Sequence, residues 1–235
     1  MVLAARSMGF DVNVRAFPRN GNPELVCELS FASSTREPQA VPLAESIPLR
    51  VTNRRQVEHL PLDREDKDAL VAAASERGGN LQILAERDKI EAAAKLIGRC
   101  DRLVFLSKKM NTEIMGEIRF SKEDEERSRD GIGLASMELS AVDAAGLRMM
   151  ARWSAVAVLS QLGLGRAIEN NSSKVIRASS AFALVTAPHG PDSYFVGGRV
   201  LEHVWLTATA RELAIHPTAS LVYLLARLDA EGDRD

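Results

Sequence analysis

Charge of one sign, cysteine, aromatic side chains and long apolar runs are all scarce in this sequence, and most of these scarcities remove a class of function. Lys and Arg number 30 against 32 Asp and Glu, a formal net charge of −2. A nucleic-acid partner needs a basic footprint that displaces counterions from phosphates, which this near-neutral balance lacks. No stretch approaches the roughly 18 consecutive apolar residues of a membrane span. The opening MVLAARSMGF has one Arg and a short apolar stretch, without the apolar centre or cleavage pattern of a secretory leader, so a cytoplasmic location is expected. Cys27 and Cys100 have no CxxC partner and sit among apolar residues. They read as small buried hydrophobes, with a disulfide or a nucleophile as the alternatives. The histidines His59, His189, His203 and His216 share no metal-ligand spacing. Neither GxGxxG nor GxxxxGK(S/T) occurs, and GLGRA has the wrong register for either, so a Rossmann dinucleotide site is not expected.

What remains is an ordinary globular composition, 46% apolar over 235 residues, enough to bury a sizeable core. Met1 to Met8 has helical character, and Gly9 is placed as its stop. DVNVRAF alternates apolar and polar residues as a strand does, PRNGNP is a turn, and ELVCELSF (24–31) is a second strand. Residues 32–46, polar with two prolines, read as a surface linker. Asp63 is placed to cap a helix running to about Ser75. After Gly78 and Gly79, NLQIL reads as a short strand, and Asp88–Ile97 as an amphipathic helix. Residues 107–119 carry Met110, Ile114, Met115 and Ile118 at helical spacing, and SKEDEERSRDG reads as a solvated charged loop. DGIGLASMELS is a loop with a short extended piece. Ala141–Leu162 is the longest apolar-rich helix, expected to be buried on most sides. VIRASSAFALVTA reads as a central strand because its apolar run is nearly continuous. PHGPDS is a turn, and Tyr194–Leu213 is a second long helix. This order lacks regular βαβ alternation and predicts an α+β fold.

Candidate chemistry concentrates at Arg50-Val51-Thr52-Asn53-Arg54-Arg55. Guanidinium forks match phosphate oxygens, and a threonine hydroxyl between them adds a short donor. The alternative is a basic loop at a helix start, paired with surface acids. His216-Pro217 follows the 194–213 helix; His216 reads as a general acid or, more simply, as a helix cap, with Pro217 fixing the exit. Ser179 and Ser180 have no GxSxG surroundings and read as structural. Trp153 and Trp205, at helical spacing in apolar runs, read as core.

RVTNRRQVEHLPL resembles the phosphate-binding entry motif of FMN-dependent nitroreductases, commonly RxSxR before a helix. It is most similar to the divergent branch whose motif is TNRR. That branch includes two-repeat nitroreductases and nitroreductase-like domains fused behind E1-like adenylating domains. The segment from GRAIENNSSK through IHPTASLVYL is similar to the C-terminal strand, helix and turn of that branch, and DGIGLASMELS with the apolar helix after it also fits.

The resemblance implies a nitroreductase-like sandwich: an antiparallel-rich sheet flanked by long helices, dimeric, with FMN at the junction. Residues 1–45 would be the trailing end of a first repeat, because AARSMGFDVNVRAF resembles the close of one, and 46–235 the FMN-binding domain. No segment matches the family's APSxxNxQPW-like stretch. By position, Arg50, Thr52 and Arg54 would contact the FMN phosphate with Asn53 nearby, and Pro217 and Thr218 would lie along the isoalloxazine ring. The implied activity is electron transfer from NAD(P)H through flavin to a small acceptor such as a quinone or nitro compound, with no dedicated acid or base. The alternative is a non-catalytic flavin-binding or interaction domain of a larger fused or two-repeat protein. A homodimer is expected on either reading.

Overall fold

The computed structural model describes residues 1–18, 22, 24–35, 41–54 and 60–231. Most of the PRNGNP turn, residues 36–40 of the expected linker, Arg55, His59 and the last four residues lie outside them. The fold is α+β, with helices predominating over short strands. Its residues group into two compact units, one of Met1–Asn53, Pro61–Leu84 and Ala183–His216, the other of Arg54–Leu60, Ala85–Phe182 and Pro217–Asp235.

The first unit opens with α1 (Val2–Ser7), whose end is closed by Gly9 at φ 82°, a left-handed position that favours glycine. Strands β1 (Phe10–Ala16) and β2 (Cys27–Ser33) then pair antiparallel, with Val12 opposite Phe31 and Val14 opposite Leu29. A helical turn α2 (Pro42–Glu45) and a 3-10 turn at Ile47–Leu49 follow. Helix α3 (Arg64–Ser75) starts where expected, because the Asp63 carboxylate accepts the Asp66 N–H at 2.7 Å. β3 (Asn80–Leu84) pairs with the last strand, β6 (Phe182–Thr186), and α10 (Ser193–Ala210) packs on α3. Val200, Val204 and Ala208 form one stripe of α10 at four-residue spacing and meet Leu70, Ala73 and Ala74 of α3 and Leu81 of β3.

The second unit is built around α4 (Arg87–Leu106) and α9 (Leu164–Arg177). Ile90, Ala94, Ile97 and Ile176 form its apolar centre, and the Ser173 hydroxyl donates to the Ala94 carbonyl at 2.9 Å. The Arg177 fork donates to both oxygens of Glu91, at 2.6 and 2.9 Å. Arg87 donates to the carbonyls of Arg177 and Ser179 at the end of α9, where a cation suits the helix dipole. A second cluster gathers Met115 of α5 (Lys108–Gly116), Ile118 of β4 (Ile118–Arg119), Leu134, and Leu147 of α7 (Ala141–Met150). β4 pairs in parallel with β5 (Ile132–Gly133).

Several expectations are corrected. The charged SKEDEERSRDG segment is helical over α6 (Lys122–Ser128), because the Ser121 hydroxyl accepts the Asp124 N–H and Arg129 closes the helix at φ 54°. Helix 107–119 stops at Gly116, and Ile118 turns to strand pairing instead. The 88–97 helix runs on to Leu106, since Gly98 is a packing position and not a stop. The single helix expected over 141–162 is two, α7 and α8 (Trp153–Gln161), divided where Arg152 is extended (φ −103°, ψ 100°). Neither is buried on most sides: α7 buries Leu147 and α8 buries Val156, while Val142 and Val158 stay exposed. The first three residues of VIRASSAFALVTA belong to α9, because Gly165, Ile168, Ser173 and Ile176 make one buried helical face. β6 is not central: β3 is its strand neighbour among the described residues, and Leu184 is 42% exposed. The tail adds α11 (Ser220–Glu231). No helix among the described residues is long and apolar enough to cross a membrane.

Candidate functional site

In the first unit the predicted phosphate residues lie on an extended segment that leaves the Ile47–Leu49 turn. Pro48 and the Arg50 N–H bond to the Ser46 carbonyl, at 3.0 Å, shape that turn and aim the chain along Ile215. Thr52 forms an isolated parallel β-bridge with Ile215, and the Asn53 N–H donates to the Ile215 carbonyl at 3.0 Å. Thr52 and Asn53 are thereby joined by backbone pairing to Ile215, far along the chain.

Arg50 rests on α10. Its Nε lies 3.3 Å from a carboxylate oxygen of Glu202, and its guanidinium carbon lies 4.4 Å from the Trp205 ring centroid. Glu202 and Trp205 are three residues apart on one helix and so share a face. The ion pair is half-exposed and contributes about 0.2–1 kcal/mol; the stacked cation contributes a comparable ~0.5–1 kcal/mol. Trp205 is 7% exposed, and its Nε1–H is buried without a hydrogen-bond acceptor among the described residues. An unpaired buried donor costs on the order of 1–3 kcal/mol, so this indole is core by packing and unsatisfied by chemistry. Close by on the same helix, His203 is also buried, with Nε2 3.0 Å from a Glu76 oxygen.

The remaining predicted residues fall in the second unit. The Arg54 guanidinium donates to the Ser136 carbonyl at 3.2 Å. Pro217 is half-buried and Thr218 exposed, in the non-helical stretch that leads into α11. Arg50 and Arg54 therefore both hold intramolecular acceptors, one a carboxylate and one a carbonyl. Within the first unit the donor set fits a phosphate in kind: the Arg50 guanidinium, the Thr52 hydroxyl, and one weakly held carboxylate to exchange for a stronger acceptor.

Other sequence candidates have structural roles. The Ser179 hydroxyl donates to the Ile176 carbonyl at 2.6 Å and finishes α9. Cys100 is buried, Cys27 is half-buried, and both are free thiols; burial pushes the Cys100 thiol up, and Asp101 adds to the shift. No group of three or more His, Cys, Asp or Glu among the described residues could hold a metal. Sequence reasoning misses Glu202, an exposed helical acid with no local signature, and takes Trp205 for core alone. The missed signal is the pairing of an acid and an indole at helical spacing, which has meaning once a cation is known to lie over them.

No protein-family profile matches the chain. It is similar to an uncharacterized protein of Mycobacterium tuberculosis, 31% identical over 193 residues, covering 81% of this chain and 26% of that protein. The chain thus spans about a quarter of the length of the curated relative it matches.

Proposed function

We propose that this chain is an FMN-binding, nitroreductase-like oxidoreductase domain of the TNRR branch, working as a cytoplasmic homodimer. The observation that carries the reading is the Thr52–Ile215 pairing, which sets the Arg50–Asn53 segment beside the strand-like stretch leading to Pro217. Those are the two segments that the resemblance assigns to one flavin. Arg50 binds the phosphate as a fork donor, Thr52 adds its hydroxyl, and Asn53 fixes the segment through its backbone N–H; the resemblance adds Arg54 as a second fork. Pro217 and Thr218 line the ring, where the proline fixes φ of the backbone. When bound, the flavin supplies the chemistry, accepting hydride from NAD(P)H and passing electrons to a small acceptor such as a quinone or nitro compound. The residues of this chain bind, orient and exclude water; no side chain is assigned as acid or base.

The purified protein is expected to be yellow, to release FMN on heating, and to consume NADPH with a quinone. A colourless protein that takes up no added FMN overturns the reading. The greater length of the mycobacterial relative favours a second reading, a non-catalytic flavin-binding or interaction module of a longer protein. That reading predicts FMN uptake with no NADPH consumption. Light scattering tests the homodimer on either.

A further inference from the structure

We propose that α10 completes the phosphate grip with two residues. Glu202 is the carboxylate that a phosphomonoester displaces from Arg50, and Trp205 seats the Arg50 guanidinium on its ring and lends its Nε1–H to the incoming anion. The inference rests on the reading that Arg50 binds the FMN phosphate. Three observations converge on it. The Arg50 guanidinium is engaged by a carboxylate oxygen that is itself half-exposed, at 3.3 Å. The same guanidinium lies over the face of the Trp205 indole, at 4.4 Å. That indole keeps a buried N–H with no acceptor among the described residues.

A carboxylate and a phosphate dianion repel each other across one guanidinium, so phosphate enters as Glu202 leaves. The exchange is easy, because a half-exposed carboxylate pair is weak while phosphate offers more charge and more acceptor oxygens. Freed from Glu202, the Arg50 guanidinium keeps its seat over the indole face and turns its N–H groups toward the phosphate. With hydrogen bonds of about 2.9 Å from each donor, the oxygens of one phosphate can serve both the guanidinium and the N–H of the ring beneath it. Glu202 thereby sets affinity: it screens out weak monoanions and yields to a phosphomonoester.

The test compares FMN with riboflavin, which lacks the phosphate, by flavin fluorescence. Glu202→Gln is expected to tighten FMN about two- to fivefold and to leave riboflavin unchanged. Trp205→Phe keeps a ring under Arg50 but removes the donor; it is expected to weaken FMN about fivefold, again without effect on riboflavin. A Glu202→Gln protein that binds FMN no tighter, or that shifts FMN and riboflavin equally, overturns the proposal even if Trp205→Phe does not fold. A Trp153→Phe background leaves Trp205 as the one tryptophan, so its emission can be titrated with inorganic phosphate. If FMN does not bind but phosphate shifts that emission, more tightly with Glu202→Gln, the flavin reading fails and the anion site stands. If FMN binds and neither variant separates it from riboflavin, the flavin reading stands and this proposal falls. If neither ligand binds, both fall.

Discussion

The backbone of Thr52 pairs with that of Ile215 as an isolated parallel bridge, and Asn53 completes it with an N–H to the Ile215 carbonyl at 3.0 Å. This pairing sets the basic segment beside the chain that leads to Pro217, and α10 then presents Glu202 and Trp205 to Arg50.

Removing the Arg50 side chain should therefore separate phosphate binding from ring binding. Arg50→Ala is expected to weaken FMN by about tenfold to a hundredfold, the range for one lost charge-assisted hydrogen bond, and to leave riboflavin nearly unchanged. Equilibrium dialysis against each flavin measures it.

Pairing of α4 with α9 depends on Gly98. A Cβ there would come within 2.6 Å of the Glu169 carbonyl oxygen and would also collide with the Ser173 hydroxyl. Alanine gains about 1 kcal/mol of helix propensity over glycine, but overpacking against a backbone atom costs about 1–3 kcal/mol. The collision wins, and Gly98→Ala is expected to lower the urea midpoint. The Ser173 hydroxyl bond to Ala94 should weaken as the helices move apart.

On the same helix, Ile90 is 0% exposed and Leu103 is 60% exposed. Ile90→Ala is expected to cost about 2–5 kcal/mol through lost burial and a cavity. Leu103→Ala should stay within about 0.5 kcal/mol. Urea unfolding followed by far-ultraviolet circular dichroism distinguishes them.

Acid should loosen α11. Bonds from Arg227 and then from the Tyr223 hydroxyl hold the Glu113 carboxyl well below its usual range, at about 2. A carboxyl with a lowered folded pKa binds fewer protons folded than unfolded, so its stabilisation is fully present above the unfolded value of about 4.3. It is lost as pH falls from there through about 2. Thermal midpoints taken across that window should drop for the native chain. Glu113→Gln should flatten that part of the profile and be less stable than the native chain at pH 7.

Local chemistry makes several elements legible from the order of residues alone. Asp63 caps α3 through one side-chain bond to Asp66, Gly9 supplies the left-handed stop of α1, and the alternation in DVNVRAF marks β1. In each case the deciding atoms lie within a few residues of one another. Arg50, Thr52 and Asn53 stand out in the same way, as a cluster of donors in a row. Tertiary structure decides the rest. Asn170, Asn171, Ser172 and Ser173 are weak helix formers, yet α9 runs through them because its buried face meets α4, where Gly98 lets the backbones approach. Arg152 divides α7 from α8 with neither proline nor glycine to announce it. The partners of Arg50 are the least legible of all. Glu202 and Trp205 lie far along the chain, and what brings them to Arg50 is which face α10 turns inward when Val200, Val204 and Ala208 bury against α3. Burial of that stripe is a property of the packed unit, and no window of sequence around Arg50 contains it.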